Sequence, residues 1–160
     1  MGRMVWKRLR PEDLAAFREH LDGLPEKDRP CYGLVGVKAS WWSRLGGGAR
    51  PFVVLISGET ITLQKRSVRR HRELSRRDYV IGDLRRVSVR RGPLLESARF
   101  SFTDGYSVRV GSLPRGQAQP MERFLVDGAA AFDPSCLSPE QFTNTYLACG
   151  VMGLLPGGLR

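Results

Sequence analysis

Apolar residues change their period several times along the chain, and each change marks an element. Leu14, Phe17, Leu21 and Leu24 recur at spacings of three and four, which places them on one helical face. Pro11 suits the first helical position, and Glu12 and Asp13 suit the positive end of the helix dipole. The spacing therefore predicts a helix over 11–24, stopping between Gly23 and Pro25. Tyr32 to Lys38 then reads as a strand, interrupted by Gly33 and Gly36. A loop, ASWWSRLGGGARP, covers Ala39 to Pro51.

Phe52 to Ile56 is a continuous apolar run. After the turn Ser57-Gly58-Glu59, Ile61 and Leu63 alternate with Thr60, Thr62 and Gln64. The pair predicts a hairpin. From Tyr79 the chain reads as extended again, through Ile81, Leu84, Val87 and Val89. Apolar parity switches between Ile81 and Leu84, which predicts a bend or bulge at Gly82-Asp83. Ala98, Phe100 and Phe102 alternate with Arg99, Ser101 and Thr103. Asp104-Gly105 supplies a tight turn, and Tyr106, Val108 and Val110 alternate on the return. One face of this hairpin is apolar, so it covers a core on one side only.

A second helix is predicted from Pro120, with Met121, Phe124, Leu125, Gly128 and Phe132 as its stripe. A third starts at Ser138, with Pro139 at its first position and Gln141 completing a capping box. Its stripe is Phe142, Tyr146 and Cys149. It reads either as an interaction helix or as a second layer packed outside the sheet.

Composition narrows the picture. The 160 residues suit one domain, or one domain with a short appendage, and are 41% hydrophobic and 26% charged, a globular balance. Net charge is +10, and eleven bases but three acids lie between Lys65 and Arg91, so that segment carries +8. Only Lys7, Lys27, Lys38 and Lys65 are lysines. Such an arginine bias lowers the information in any single arginine but does not explain why acids avoid this segment. Local positive charge favours an anionic partner: phospholipid, nucleic acid or an acidic protein face.

Several chemistries find no support. Cys31, Cys136 and Cys149 are far apart with no C-x-x-C, so they read as reduced core thiols with no metal site. His20 and His71 have no triad partner in the sequence, and the carboxylates form no pair, so no catalytic residue and no cofactor is expected. Gly46–Gly48 is followed by no Gly-Lys-Ser/Thr and reads as flexible chain. The start, MGRMVWKRLRPED, has no apolar region of a signal peptide, and Trp6 stands where a myristoylation signal needs Ser or Thr. No apolar run has transmembrane length.

The order of elements resembles the pleckstrin-homology-like (PH-like) barrel of small bacterial domains. RPFVVLISGETITLQKR is similar to the family's second and third strands. YVIGDLRRVSVRRG resembles its bent fourth strand, ARFSFTDGYSVRVGSL its late hairpin, and PMERFLVDGAAAF its capping helix. The resemblance covers residues 31–132. It leaves 1–30 as an N-terminal helix and lead-in, and 133–160 as a helical appendage. It implies an α+β fold: an antiparallel barrel of six or seven strands capped by a helix. It also implies that the loops Ala39–Pro51 and Lys65–Asp78 share the open end of the barrel. Lipid-binding members place a lysine late in the first strand and an arginine early in the second. Lys38 and Arg50 stand near those places, with a spacing that is not the usual one.

Two groups become candidate sites. Trp41, Trp42 and Leu45, beside Arg44, read as an apolar wedge for a membrane interface or partner groove, or as a flap folded over the barrel end. Lys65, Arg66, Arg69, Arg70, Arg72, Arg76 and Arg77 read as a phosphate-binding loop joined by Lys38, Arg44 and Arg50, or as a solvated edge. Near an anionic bilayer each base in reach contributes about 1 kcal/mol. The expectation is a non-enzymatic, cytoplasmic module, peripheral to the inner face of the membrane, that binds anionic phospholipid. Binding of nucleic acid by the same face, and assembly with an acidic or other protein partner, are the alternatives.

Overall fold

The computed structural model describes residues 10–38, 50–67, 72–116, 118–127, 139–152 and 154–155. Its elements are α1 (Pro11–Asp22), β1 (Pro30–Lys38), β2 (Pro51–Ser57), β3 (Thr60–Arg66), β4 (Glu73–Val80), β5 (Leu84–Arg91), β6 (Leu95–Phe102), β7 (Ser107–Pro114), α2 (Ala118–Asp127) and α3 (Pro139–Val151). The seven strands form one antiparallel sheet in the order β4-β3-β2-β1-β7-β6-β5.

The sheet is open: β4 and β5 are its two edges. The stretch read as one bent strand is in fact the end of β4, a one-turn 3-10 segment at Ile81–Asp83, and β5. The turn is tied at both ends. Ile81 N–H donates to the Glu59 carbonyl (2.8 Å), and Thr103 N–H donates to the Asp83 carbonyl (3.0 Å). The expected parity change is therefore a passage from one edge of the sheet to the other.

Alternation sorts the side chains into two cores. Leu34, Phe52, Val54, Ile56, Ile61, Leu63, Phe100, Phe102, Val108 and Val110 fill the inner one. Met121 and Ala118 of α2 close over it, with Leu125 partly buried alongside. Buried Glu96 accepts from the Ala118 N–H (3.2 Å), satisfying a donor at the start of α2. Expected positions from 128 to 138, Gly128, Phe132 and Ser138 among them, lie outside the described residues.

The second core lies on the opposite face of β1 and β2. Val53 and Leu55 meet Phe17 and Leu21 of α1 and Phe142, Ala148 and Cys149 of α3. Hence β2 is apolar without alternation: its odd residues serve one core and its even residues the other. Phe17 packs against Phe142 (centroids 5.4 Å) and edge-on to Tyr146 (5.2 Å). So α3 is a packed second layer, as one of the two readings had it.

The glycines that interrupt β1 have a packing reason. A Cβ on Gly33 would lie 2.6 Å from the Ala148 Cβ and 2.9 Å from the Thr145 Cα. The helix can sit on the strand only where the strand has no side chain.

Candidate anion-binding site

The strand register decides which segments meet. Val37 pairs with Pro51, Phe52 with Lys65, and Lys65 with Ser75. The chain therefore leaves β1, enters β2, leaves β3 and enters β4 at one end of the sheet. Lys38, Arg50, Lys65, Arg66 and Arg72 all belong to these strand ends. The ends of β1 and β4 are three strand spacings apart, about 15 Å. Residues 39–49 and 68–71 lie outside the described residues. That covers Trp41, Trp42, Arg44, Leu45, Arg69 and Arg70.

The basic run is not one loop. Lys65 and Arg66 end β3, and Arg76 and Arg77 lie within β4, so the expected connection over Lys65–Asp78 shrinks to the residues between Arg66 and Glu73. Ser67 N–H donates to the Arg72 carbonyl (2.9 Å) and pins that turn at its base. Arg50 and Arg72 are exposed, and Lys65 and Arg66 are half-buried.

Being on a strand sends neighbouring arginines to opposite faces. Arg76 shares the outer face with Thr62, Gln64 and Asp78. Its Nε lies 2.9 Å from Asp78 Oδ2, and the Thr62 hydroxyl donates to Asp78 Oδ1 (2.6 Å). The hydrogen bond to Asp78 raises the Arg76 pKa above its ordinary value. Arg66 donates to Gln64 Oε1 (2.8 Å), and the buried Gln64 amide donates to Glu73 Oε2 (2.6 Å). These two arginines are held by the fold's own polar network.

Arg77 points the other way. Its guanidinium lies over the Tyr106 ring, 4.1 Å from the centroid. Its pKa is raised by a long hydrogen bond to the Tyr79 hydroxyl. Tyr79 itself stacks on Phe102 and donates to Asp104 Oδ2 (2.9 Å). This corner links edge strand β4 to the turn between β6 and β7. That turn is the expected Asp104-Gly105 one: Gly105 has φ +87°, and Asp104 Oδ1 accepts from the Tyr106 N–H (2.8 Å).

A second basic surface was only half visible in the linear charge count, which includes Arg86 and Arg90 but not Arg99 and Arg109. Arg86 and Arg90 of β5, Arg99 of β6 and Arg109 of β7 are all exposed on the side of the sheet opposite the inner core. Sequence alternation places Arg99 and Arg109 at polar positions, but only the register joins them to β5. Among the described residues no group of His, Cys, Asp and Glu could hold a metal ion. No described helix is long and apolar enough to cross a membrane.

Seven antiparallel strands in this order, followed by a helix laid on β5 and β6, define an α+β protein of PH-like fold. No protein-family model and no curated protein matches the chain. Among solved structures it is similar to the hSac2 domain from human phosphoinositide phosphatase Sac2, at 10% identity and a TM-score of 0.48, covering 71% of this chain and 77% of that one. It is also similar to the pleckstrin homology domain of USP37, at 14% identity and a TM-score of 0.42, over 59% of this chain and 93% of the other. A third likeness is to the C-terminal domain of an unknown protein from Leishmania infantum, at 7% identity and a TM-score of 0.39, over 67% and 85%. The assignment of the fold rests on strand order and helix placement, and not on these likenesses.

Proposed function

We propose that this chain is a non-enzymatic PH-like binding module that attaches to an anionic membrane surface through the end where the β1–β2 and β3–β4 connections emerge. In this reading the open sheet takes the place of the barrel of the family it resembles, with its mouth at this end. The reading is supported above all by the register, in which four strand ends converge on one side and bring basic residues from two distant segments within about 15 Å. Lys38, Arg44, Arg50, Lys65, Arg69, Arg70 and Arg72 supply charge. Arg66, Arg76 and Arg77 are engaged within the fold and contribute field more than contacts. Trp41, Trp42 and Leu45 supply the apolar insertion that charge alone lacks.

Flotation with vesicles containing phosphatidylserine tests this reading. The wild-type protein floats. A Trp41→Ala/Trp42→Ala variant carrying Arg69→Glu, Arg70→Glu and Arg72→Glu stays at the bottom. Equal flotation of the two proteins would sink the proposal.

A second reading, assembly with a protein partner, is favoured by the two sheet edges. On β4, Leu74 and Val80 are exposed at 45% and 56%, and an unpaired edge strand is a template for strand addition. An oligomer that persists in high salt would select this reading, because a charge-driven contact weakens there.

A further inference from the structure

We propose that the outward face of β5, β6 and β7 is a second anion site, distinct from the strand-end site, that takes the phosphodiester backbone of duplex nucleic acid. The register assembles it. Arg86 lies opposite Ser101, which neighbours Ser107. Ser88 lies opposite Arg99, which neighbours Arg109. Arg90 lies opposite Ser97. Every one of these outward positions is arginine or serine, and none is acidic. The acids near the face are engaged elsewhere. Asp104 accepts from Tyr79 and Tyr106, Glu96 from Ala118, and Glu122 from the Val89 N–H (3.3 Å). Asp83 sits in the turn before β5. Among the described residues none of the four arginines makes an ion pair.

Arg99 and Arg109 stand directly opposite each other on paired strands, an arrangement that disfavours the isolated sheet. Arg99 Nε donates to the Ser107 hydroxyl (3.0 Å), and the Ser101 and Ser107 hydroxyls lie 3.2 Å apart. Guanidinium forks and hydroxyls are the groups that contact phosphate without reading sequence. The outward positions hold no aromatic ring on which bases of a single strand could stack. Exposed apolar side chains near this face are confined to Leu94 and Leu95 at one end of β6, and the outward positions between the arginines offer none to insert into a bilayer. These two features select duplex over single strand and over membrane.

The dimensions agree. Arg86 and Arg90 are four residues apart along a strand, about 13 Å, and β5 to β7 spans about 10 Å. One strand of a duplex presents a phosphate every ~3.4 Å of axis, so about four phosphates lie along the patch. Four arginines meeting four phosphates give a log–log salt slope of about −3.6 from this face.

The test is fluorescence anisotropy of the full chain with a 20-base-pair duplex of arbitrary sequence, between about 50 and 300 mM NaCl. Arg99→Ser/Arg109→Ser lowers the magnitude of the slope by about 2, and so does Arg86→Ser/Arg90→Ser on the neighbouring strand. Arg10→Ser/Lys27→Ser, which removes the same charge from exposed positions elsewhere, leaves the slope unchanged. Circular dichroism confirms that each variant stays folded. Should one pair fail to fold, the other carries the measurement. An equal loss in the control pair overturns the proposal, as does wild-type binding by the face variants. Loss of binding to phosphatidylserine vesicles in the face variants, with no duplex binding by the wild type, overturns it in favour of a membrane.

Discussion

The ring of Tyr79 stacks on that of Phe102 with centroids 3.8 Å apart and planes 11° from parallel. Tyr79 belongs to edge strand β4 and Phe102 to β6, two strands beyond β1 in the sheet order. The open sheet is thus joined at this corner by side chains where its edges have no backbone pairing. The ring packs on the inner core while its hydroxyl reaches Asp104. A double-mutant cycle of Tyr79→Ala and Phe102→Ala should give a coupling of about 0.5–1.5 kcal/mol beyond the loss of buried area. Tyr79→Phe keeps the stack and loses two exposed hydrogen bonds, the one to Asp104 and the long one from Arg77, so it should lie within about 1 kcal/mol of wild type. Urea unfolding measures all five proteins. A coupling near zero would mean that the ring stack does not hold the corner.

Gly33 should tolerate no side chain. Its missing Cβ is where Ala148 and the α3 backbone rest, and backbone cannot move aside as a flexible side chain does. Gly33→Ala should cost about 1–3 kcal/mol through overpacking, lowering Tm by roughly 3–10 °C in a chain of this size. Gly82 is the internal control. Nothing lies within 4 Å of its Cβ position, so Gly82→Ala should be neutral or slightly stabilising. Equal Tm losses for the two would rule out close helix–strand approach as the cause.

Elements with a buried face were legible in the residues. The β2 run, the Asp104-Gly105 hairpin, the α1 stripe and the Pro139 start of α3 each left a hydrophobic period or a turn residue behind. Strand β4 did not. Glu73 to Asp78 is exposed throughout, so it carries no apolar alternation, and its arginines read as loop. The extended conformation comes from pairing with β3, a partner that a period cannot reveal. The passage from β4 to β5 was visible only as a change of parity, which a bulge would also produce. The arginine face on β5–β7 was illegible for a third reason. Its members are scattered from position 86 to 109, and only the register makes them neighbours.

The thiols of Cys31 and Cys149 should be inert in the native protein. Both are buried, and burial pushes each pKa up to about 12. Cys31 Sγ also donates to the Ile56 carbonyl (3.2 Å). Raising a thiol from 9.0 to about 12 lowers its thiolate fraction at neutral pH by about three orders of magnitude, and thiolate is the reactive form. In a Cys136→Ser background, iodoacetamide at pH 8 should leave both native thiols unmodified over hours and alkylate both promptly in guanidinium. Prompt modification of the folded protein would show that one of the two cores opens.

Stability should fall in acid through Asp78 and Asp104. Burial pushes the Asp78 pKa up, but hydrogen bonds from Arg76 and Thr62 outweigh it and hold the carboxyl below its ordinary 3.8. Asp104 is lowered chiefly by the Tyr106 backbone N–H, with Tyr79 adding to it. A carboxyl depressed in the folded state binds fewer protons there than in the unfolded chain. Its contribution is therefore complete above 3.8 and disappears as pH falls through the lower native value. The urea midpoint should be flat from about pH 7 to 5 and drop below about pH 4. In Asp78→Asn the midpoint should start lower at pH 7, because the Arg76 ion pair is gone, and the acid drop should be shallower. A variant whose acid drop equals that of the wild type would place the titrating groups elsewhere in the sheet.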